Sequence, residues 1–343
     1  MKKIGIFCVG TGGHVLPAKN IILQLNKEGV SFDEFIVVTD KRGSQYLEDL
    51  KIKIYIQDIY RSKIGFIGYI INIHKYLNSF LRIRSIVKKE NVKLIFSTGS
   101  YIAPIASFLS FTLRIKYFGQ EQNIYAGLGN KVSSFFPGLI FTSYPKTKNI
   151  LKRKIMYVGP VINKNIIKNN LQVKDMLTIG IQGGSQGSEE VNKYLYKFIS
   201  ENDVDNIKFI HITGIKKSIK NMDTKNYEKY DFIEDMSKYY SKINIQISRS
   251  GGGALEAAYL NIPQILLPFK HGTTSSHQLL NAQYLEELGV ALIVKTYDEF
   301  ESKLIDIINK NENNIKDNFI RADIQIGNFK ISEYLKKALN EQI

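Results

Sequence analysis

The sequence predicts an α/β chain of two doubly wound, parallel-sheet domains facing each other across a cleft. Three observations carry this. Short apolar runs alternate with longer helix-like stretches, the pattern of strand–helix–strand units. Two glycine-rich turns stand in equivalent places, Gly10-Thr11-Gly12-Gly13-His14 after the apolar run 4–9, and Gly183-Gly184-Ser185-Gln186-Gly187 after the run 177–181. The pattern breaks once, at Gly159-Pro160-Val161 and the polar Asn/Lys stretch 163–170, and then restarts. The 343 residues suffice for two ordinary domains, with the boundary expected between 1–162 and 163–343 and the last helix a candidate to pack back on the first domain.

In the first domain, strands are expected at 4–9, 34–38, 52–57, 92–97, 115–118, 139–142 and 156–158, where apolar residues run nearly unbroken. Helices are expected at 15–27, 68–89 (as one or two) and 103–113. In the second, strands are expected at 177–181, 207–212, 243–248, 264–267 and 291–294, with helices at 190–200, 254–260, 281–288, about 297–310 and about 328–341.

A hydrophobic fraction of 44% is that of an ordinary globular protein and excludes long disorder. The single cysteine, Cys8, lies in the first apolar run, so no intramolecular disulfide forms, which fits a reducing compartment. The basic start Lys2-Lys3 precedes an apolar stretch too short for a signal peptide, read here as a buried first strand.

The net charge of +15 sits in one half. Residues 1–160 carry 24 Lys/Arg against 9 Asp/Glu, whereas the remainder carries 23 of each. Biased composition would raise lysine everywhere and does not explain acids missing from one half. A partner-facing surface does, and both nucleic acid and an anionic membrane qualify. The apolar run 64–73 is followed by Lys75, Leu77, Leu81, Arg82 and Arg84, and the run 101–113 ends at Arg114 and Lys116. Neither reaches the roughly 18–20 residues of a membrane span. Apolar helices flanked by Lys/Arg suit a protein lying on an anionic membrane surface, where each basic residue contributes about 1 kcal/mol. Core helices with solvated lysines are the bland alternative. No stacking-aromatic or recognition-helix motif supports nucleic acid as a partner.

Several constellations are candidates for chemistry. The N–H groups of Gly184, Ser185 and Gln186, at the start of a helix, form a cradle for a diphosphate without the lysine of an ATPase loop. Ser248-Arg249-Ser250-Gly251-Gly252-Gly253 makes a second N–H-rich concavity before a helix. Glu256 either caps that helix in its first turn or grips ribose hydroxyls. Residues 268–281 read as a polar loop after a buried strand, where His277 and Gln278 are placed to meet sugar hydroxyls. His14, on the first glycine turn, is either a general base or a plain helix N-terminal histidine, since histidine ordinarily titrates nearest neutral pH. Glu121, in Gln120-Glu121-Gln122-Asn123, is one of three acids within 51–154, either a base or an ion-pair partner. His74 and His211 read as structural.

Together these residues resemble the MurG-type N-acetylglucosaminyltransferases of bacterial cell-wall synthesis. The matching motifs run in order from about residue 4 to 295: Gly10–His14 with Pro17-Ala18, Ser97-Thr98-Gly99 with Tyr101, Glu121-Gln122-Asn123, Gly183–Gly187, Phe232-Ile233-Glu234-Asp235-Met236, Ser248–Gly251 with Glu256, and His277-Gln278 with Asn281-Ala282. The resemblance implies a GT-B fold and inverting transfer of N-acetylglucosamine from UDP-N-acetylglucosamine to an undecaprenyl-diphosphate-linked muramoyl-pentapeptide. It implies no obligatory metal or other cofactor, and a peripheral place on the cytoplasmic face of the membrane in the company of cell-wall synthesis proteins. Carried over by motif, Thr11, Gly12, Gly13 and Gly252 are substrate-binding positions, and His14 lies near the reacting centre. Ser185 and its loop take the diphosphate. Glu256 takes the ribose, Ile233 the uracil, and Asn123 and Gln278 the donor sugar, with His277 adjacent; Glu121 is the second choice of base. The sequence departs from the family at Val9, Ser100, Gln120 and Ile162, where Gly, Gly, His and Arg are usual. The segment before Glu256 is also about one residue short and lacks the usual threonine. A GT-B transferase for another UDP-sugar or lipid acceptor, and a non-catalytic membrane-bound scaffold, remain as alternatives.

Overall fold

The computed structural model describes residues 2–59, 65–163, 165–166, 176–214, 225–269, 275–309, 319 and 322–341. It divides into two compact units, Met1–Ile162 with Ile326–Ile343, and Asn163–Gln325.

Unit 1 holds a seven-stranded sheet in the order β3-β2-β1-β4-β5-β6-β7, every pair parallel. Its strands are β1 (Lys3–Phe7), β2 (Phe35–Thr39), β3 (Lys53–Ile56), β4 (Val92–Ser97), β5 (Lys116–Glu121), β6 (Leu139–Thr142) and β7 (Ile155–Tyr157). Its helices are α1 (Gly12–Lys27), α2 (Lys41–Ser44), α3 (Gly65–Ile71), α4 (Ile73–Lys89), α5 (Ala103–Leu113), α6 (Leu128–Ser133) and the C-terminal α12 (Asn328–Asn340). Unit 2 holds a six-stranded sheet in the order β10-β9-β8-β11-β12-β13, again all parallel. Its strands are β8 (Leu177–Gln182), β9 (Ile207–Ile212), β10 (Tyr227–Tyr230), β11 (Ile245–Ser248), β12 (Gln264–Leu266) and β13 (Ala291–Ile293). Its helices are α7 (Glu189–Glu201), α8 (Met236–Tyr240), α9 (Gly252–Tyr259), α10 (Ser275–Glu287) and α11 (Tyr297–Asn309).

Alternation along β1 explains why the sheet of unit 1 is covered on both faces. Ile4, Ile6 and Cys8 enter one core with Val15, Ala18, Ile21 and Leu25 of α1 and Ile331 and Leu335 of α12. Phe7 and Val9 enter the other core, with Ile83 and Val87 of α4 and Ile105 and Leu109 of α5. Successive strand residues point to opposite faces, so one apolar run feeds two cores.

The last helix belongs to unit 1. The Asn328 side chain accepts from Ile162 N–H at 3.0 Å and donates to Ile162 C=O at 2.8 Å, pinning the helix start to the end of the first chain segment. Further along, Ser332 Oγ donates to Glu28 Oε1 at 2.7 Å and Lys336 Nζ lies 3.3 Å from Glu28 Oε2. Burial opposes ionisation of Glu28, but hydrogen bonds from Gln24, Ser332 and Lys336 outweigh it and hold the carboxyl below its usual range.

Four short elements go beyond the sequence expectation: α2, α6, α8 and the edge strand β10, whose Tyr-Glu-Lys-Tyr is half-buried throughout and lacks an apolar run. The expected helix 68–89 is two helices, broken at Asn72, whose backbone leaves the helical region. Strand β5 runs on to Glu121, so Gln120 and Glu121 are buried strand residues and not a polar loop. Helix α10 begins at Ser275, six residues before the expected start, because its polar first turn breaks the apolar pattern. Gln278 therefore lies on a helix, where the sequence predicts a loop. Lys270 and His271 of that predicted loop, Ile64 of the apolar run, and most of the 163–170 linker lie outside the described residues.

Leu335 is fully buried against the β1–α1 core. Leu335→Ala is expected to destabilise unit 1 by about 2–4 kcal/mol, read from urea unfolding, whereas the exposed Lys337→Ala stays within about 0.5 kcal/mol. Equal effects would mean that α12 is not part of this core.

Candidate functional site

In each sheet the strand order reverses beside the first strand of its unit, between β1 and β4 and between β8 and β11. Connections leave in opposite directions there, so the carboxyl ends of the strands are left uncovered, the place where ligands of open parallel sheets bind. Both glycine turns sit there.

In unit 1 the crevice is spanned by two hydrogen bonds between α1 and the segment after β4. His14 Nδ1 lies 2.8 Å from Thr98 C=O, and Thr98 Oγ1 donates to His14 C=O at 2.6 Å. A carbonyl only accepts, so Nδ1 carries the proton and the Nε2 lone pair of the neutral ring is left for another partner. His14 is half-buried. The turn before it is held by Asp40, whose Oδ1 accepts from Gly10 N–H at 2.9 Å while Tyr101 and Arg42 donate to Oδ2 at 2.8 and 3.2 Å. Burial opposes ionisation of Asp40, yet the bonds from Gly10, Tyr101, Gly43 and Arg42 keep its carboxyl below the usual range.

Pro17 of α1 has no N–H for the carbonyl four residues back, and Gln122 Nε2 donates to that carbonyl of Gly13 instead. The Glu121-Gln122-Asn123 segment is thereby fastened to the glycine turn. Glu121 is 3% exposed and both oxygens are saturated. Oε1 accepts from Asn123 N–H (2.9 Å) and Nδ2 (3.1 Å), and Oε2 accepts from Gly127 N–H (3.0 Å) and Asn130 Nδ2 (2.9 Å). Four donors fill four lone-pair directions, so the carboxylate ties the β5–α6 loop and has no direction left for a substrate proton. Neither sequence reading, base or ion-pair partner, describes this arrangement. Asn123 is correspondingly held against Glu121.

The departures from the family pattern have plain structural settings. Ser100 adopts φ 63°, a left-handed conformation that glycine takes without strain. Gln120 is 1% exposed, Nε2 lies 3.4 Å from Ser143 Oγ, and Oε1 meets no partner among the described residues. Ile162 is buried, with its backbone tied to Asn328.

In unit 2 the glycines sort into two kinds. A Cβ on Gly183 would lie 2.2 Å from Ser188 N, on Gly187 2.0 Å from Thr213 O, and on Gly253 2.7 Å from Gln182 Nε2. These are demanded by packing. Among the described residues, Gly184, Gly251 and Gly252 would meet nothing within 4 Å, and Gly251 and Gly252 have ordinary negative φ or helical backbone, so no such neighbour requires glycine at 251 or 252. Ser188 caps α7, accepting from Val191 N–H at 3.3 Å, while Ser185 and Gln186 are half-buried on the turn. Arg249, to which the sequence reading gave no role, ties the start of α7 to the end of β12: NH1 lies 2.9 Å from Glu190 Oε2 of α7 and donates to Leu267 C=O at 2.7 Å.

Helix α9 begins at Gly252 and has no acid in its first turn, so the capping role for Glu256 is excluded. Its Oε2 accepts from the Tyr240 hydroxyl at 2.8 Å. Burial pushes the Glu256 carboxyl up to about 7, against the pull of Tyr240. Gln278 Oε1 accepts from Phe269 N–H at 2.9 Å, closing the β12–α10 connection. His277 and Ile233 are half-buried, and Phe232 is 42% exposed beside the latter. His211 is structural: Nδ1 lies 2.7 Å from Tyr227 OH and Nε2 2.9 Å from Asn192 Oδ1, and burial with nearby Lys229 pushes it down to about 3.

Comparison with known proteins matches residues 4–142 to the glycosyltransferase family 28 N-terminal domain and 178–337 to the family 28 C-terminal domain. A UDP-N-acetylglucosamine–N-acetylmuramyl-(pentapeptide) pyrophosphoryl-undecaprenol N-acetylglucosamine transferase of Thermosipho africanus is 30% identical over 90% of this chain and 93% of its own. The protein of the same name from Borrelia turicatae is 31% identical over 94% and 92%. Among solved structures, MurG of Acinetobacter baumannii superposes with TM-score 0.77 at 21% identity, covering 98% of this chain and 99% of the other. The glycotransferase of kitacinnamycin does so at 0.69 and 11%, covering 98% of each. The two-sheet α/β fold is that of the GT-B glycosyltransferases.

Two titrations in unit 2 oppose each other. His211 is depressed from an ordinary 6.5, so the unfolded chain takes up its proton first and stability falls as pH drops below 6.5. Glu256 is raised from 4.5 to about 7, so the folded chain takes up its proton first and stability rises as pH drops from 7 toward 4.5. His211→Gln is therefore expected to make unit 2 more stable at pH 5 than at pH 7, and Glu256→Gln less stable, in urea unfolding at the two pH values. Parallel pH trends in both variants would contradict these shifts.

Proposed function

The chain belongs to glycosyltransferase family 28, with relatives named as N-acetylglucosamine transferases acting on pyrophosphoryl-undecaprenol acceptors, and on that premise we propose that it passes N-acetylglucosamine from UDP-N-acetylglucosamine to an undecaprenyl-diphosphate-linked muramoyl-pentapeptide. The observation that carries the reading is a glycine turn at the order reversal of each sheet.

Unit 2 is assigned the donor. The open amides of Gly184 and Gly252, with Ser185 and Gln186, receive the diphosphate against the positive ends of α7 and α9. Glu256 takes the ribose, Ile233 and exposed Phe232 the uracil, and His277 and Gln278 lie on the donor-sugar side. Unit 1 is assigned the acceptor. The acceptor hydroxyl attacks the anomeric carbon, the bond from that carbon to the diphosphate oxygen breaks, and UDP departs with the negative charge, inverting the configuration. His14 Nε2 takes the hydroxyl proton, because Thr98 has already fixed the proton on Nδ1. Thr11, Gly12 and Gly13 shape the turn around it. Glu121 holds the loop that carries Asn123 and is not the base.

Unit 1 is also assigned the membrane contact. Ile67, Ile70, Ile71, Ile73, Leu77 and Leu81 of α3 and α4 are each more than half exposed. Phe80 and Phe108 lie 5.2 Å apart, joining this face to exposed Phe111 of α5. Lys75, Arg82 and Lys88 are exposed along the same helix. No helix among the described residues is long and apolar enough to cross a membrane. The reading is peripheral docking on the anionic cytoplasmic leaflet, where nucleotide sugars are present.

The test is transfer of radiolabel from UDP-N-acetylglucosamine to a short-chain muramoyl-pentapeptide diphosphoryl lipid by the purified chain in detergent. Lipid-soluble label is expected, and His14→Ala is expected to lower kcat by about 10²–10⁴. Label in wild type with less than threefold loss in the variant would remove His14 as base. Absence of label with UDP still bound would point to another donor or acceptor, and absence of both to the scaffold. For the membrane face, Leu77→Glu with Phe111→Glu is expected to weaken binding to phosphatidylglycerol vesicles at least about tenfold without changing UDP affinity. Unchanged vesicle binding would refute that assignment.

A further inference from the structure

Strands of a parallel sheet covered on both faces are ordinarily apolar, yet the unit 2 sheet carries three buried glutamines, one on each of three adjacent strands. Gln182 of β8 is 7% exposed, and Gln246 of β11 and Gln264 of β12 are fully buried. They are linked in order. Gln182 Nε2 donates to Gln246 Oε1 at 2.8 Å, Gln246 Nε2 has its two protons within reach of three acceptors, Gln264 Oε1 at 3.2 Å, Gly253 C=O at 3.2 Å and Ser248 Oγ at 3.1 Å, and Gln264 Nε2 donates to Ala254 C=O of α9 at 3.0 Å. Burying amides is unfavourable unless they are satisfied, and apolar side chains would fill these positions at no such cost.

The chain of amides ends on Tyr240, 2% exposed on α8. Gln182 Nε2 has two protons: one goes to Gln246, and the other to the Tyr240 hydroxyl at 3.2 Å. Tyr240 is thereby made an acceptor toward Gln182, and its single proton is directed away. It has two acceptors there, Glu256 Oε2 at 2.8 Å and Gly253 C=O at 3.2 Å, and the shorter contact is the one to Glu256. The absence of a side chain at Gly253 lets α9 settle onto Gln182, since a Cβ would lie 2.7 Å from its amide. One oxygen of Glu256 is thus fixed from inside the protein. The other, Oε1, meets no hydrogen-bond partner among the described residues, and Glu256 remains half-exposed.

We infer that Tyr240, oriented by the Gln182–Gln246–Gln264 amide chain, is a positioning residue that pins one oxygen of Glu256 so that the other presents itself to the vicinal diol of a nucleotide ribose. The inference rests on the donor assignment of unit 2 given above. Tyr240 touches no ligand itself and acts through Glu256.

The test compares UDP with 2′,3′-dideoxyuridine diphosphate, titrated calorimetrically into the purified full-length chain. The readout is the ratio of the two affinities, which general loosening of the fold does not move. Wild type is expected to prefer UDP, and Glu256→Ala to erase that preference. Tyr240→Phe keeps the ring and removes the hydroxyl. It is expected to weaken UDP about 5–20-fold while leaving the dideoxy ligand within about twofold. Gln246→Met cuts the amide chain behind Tyr240 at similar volume, and is expected to shift the ratio the same way by a smaller factor. This variant carries the test if Tyr240→Phe does not fold. If Glu256→Ala keeps the full preference for UDP, the ribose assignment fails and this inference with it. If Glu256→Ala erases the preference while Tyr240→Phe and Gln246→Met leave it intact, or weaken both ligands alike, the inference alone is overturned.

Discussion

Reversal of strand order is the constraint on which the rest of each unit depends. In a parallel sheet every connection must return over a face, and the chain can wind outward from its first strand on only one side at a time. When it switches sides, two neighbouring strands send their connections apart, and the ends between them stay uncovered. Here this happens at β1/β4 and at β8/β11. Uncovered ends leave backbone N–H groups of the following helices without intrahelical partners, so polar chemistry gathers there. Unit 1 spans its gap with the paired hydrogen bonds of His14 and Thr98, and unit 2 with the hydrogen bond that the Gln182 side-chain amide donates to Gln246.

What the protein satisfies internally and what it leaves open then separates structure from function. Glu121 is conspicuous in the sequence, yet four internal donors occupy it completely. Among the described residues Glu256 is engaged through one oxygen only, and His14 through one ring nitrogen only. The same distinction sorts the glycines. Gly183, Gly187 and Gly253 are crowded by the protein's own atoms, whereas Gly184, Gly251 and Gly252 meet no neighbour among the described residues. Residue type alone does not tell one kind from the other.

Much of the fold was legible because it rests on local signals. Unbroken apolar runs marked β1, β4, β8 and β9, and glycine marked the turns at both order reversals. Elements without an apolar run were not legible: β10 is half-polar along its length, and α6 is fixed largely by Asn130 reaching back to Gln120 and Glu121. The start of α10 was hidden by its polar first turn. In the site, the glycine turns, His14 and Glu256 stood out by type and spacing. Their partners did not, because the partnerships cross long stretches of chain. Gln122 takes the Gly13 carbonyl that Pro17 cannot bond, and Tyr240 meets Glu256 only once α8 and α9 are packed. The three strand glutamines drew no notice in the sequence, because their linkage depends on the register that sets Gln246 opposite Gln264.

The central claim is that the uncovered amides at the β8/β11 reversal receive the nucleotide. Amide hydrogen exchange of the full chain with and without UDP tests it most directly, because it reports on those N–H groups themselves. New protection is expected in peptides spanning 183–188 and 250–256, with exchange at 10–14 unchanged by the nucleotide. Protection that spared both unit 2 segments, or fell on the first glycine turn instead, would contradict it.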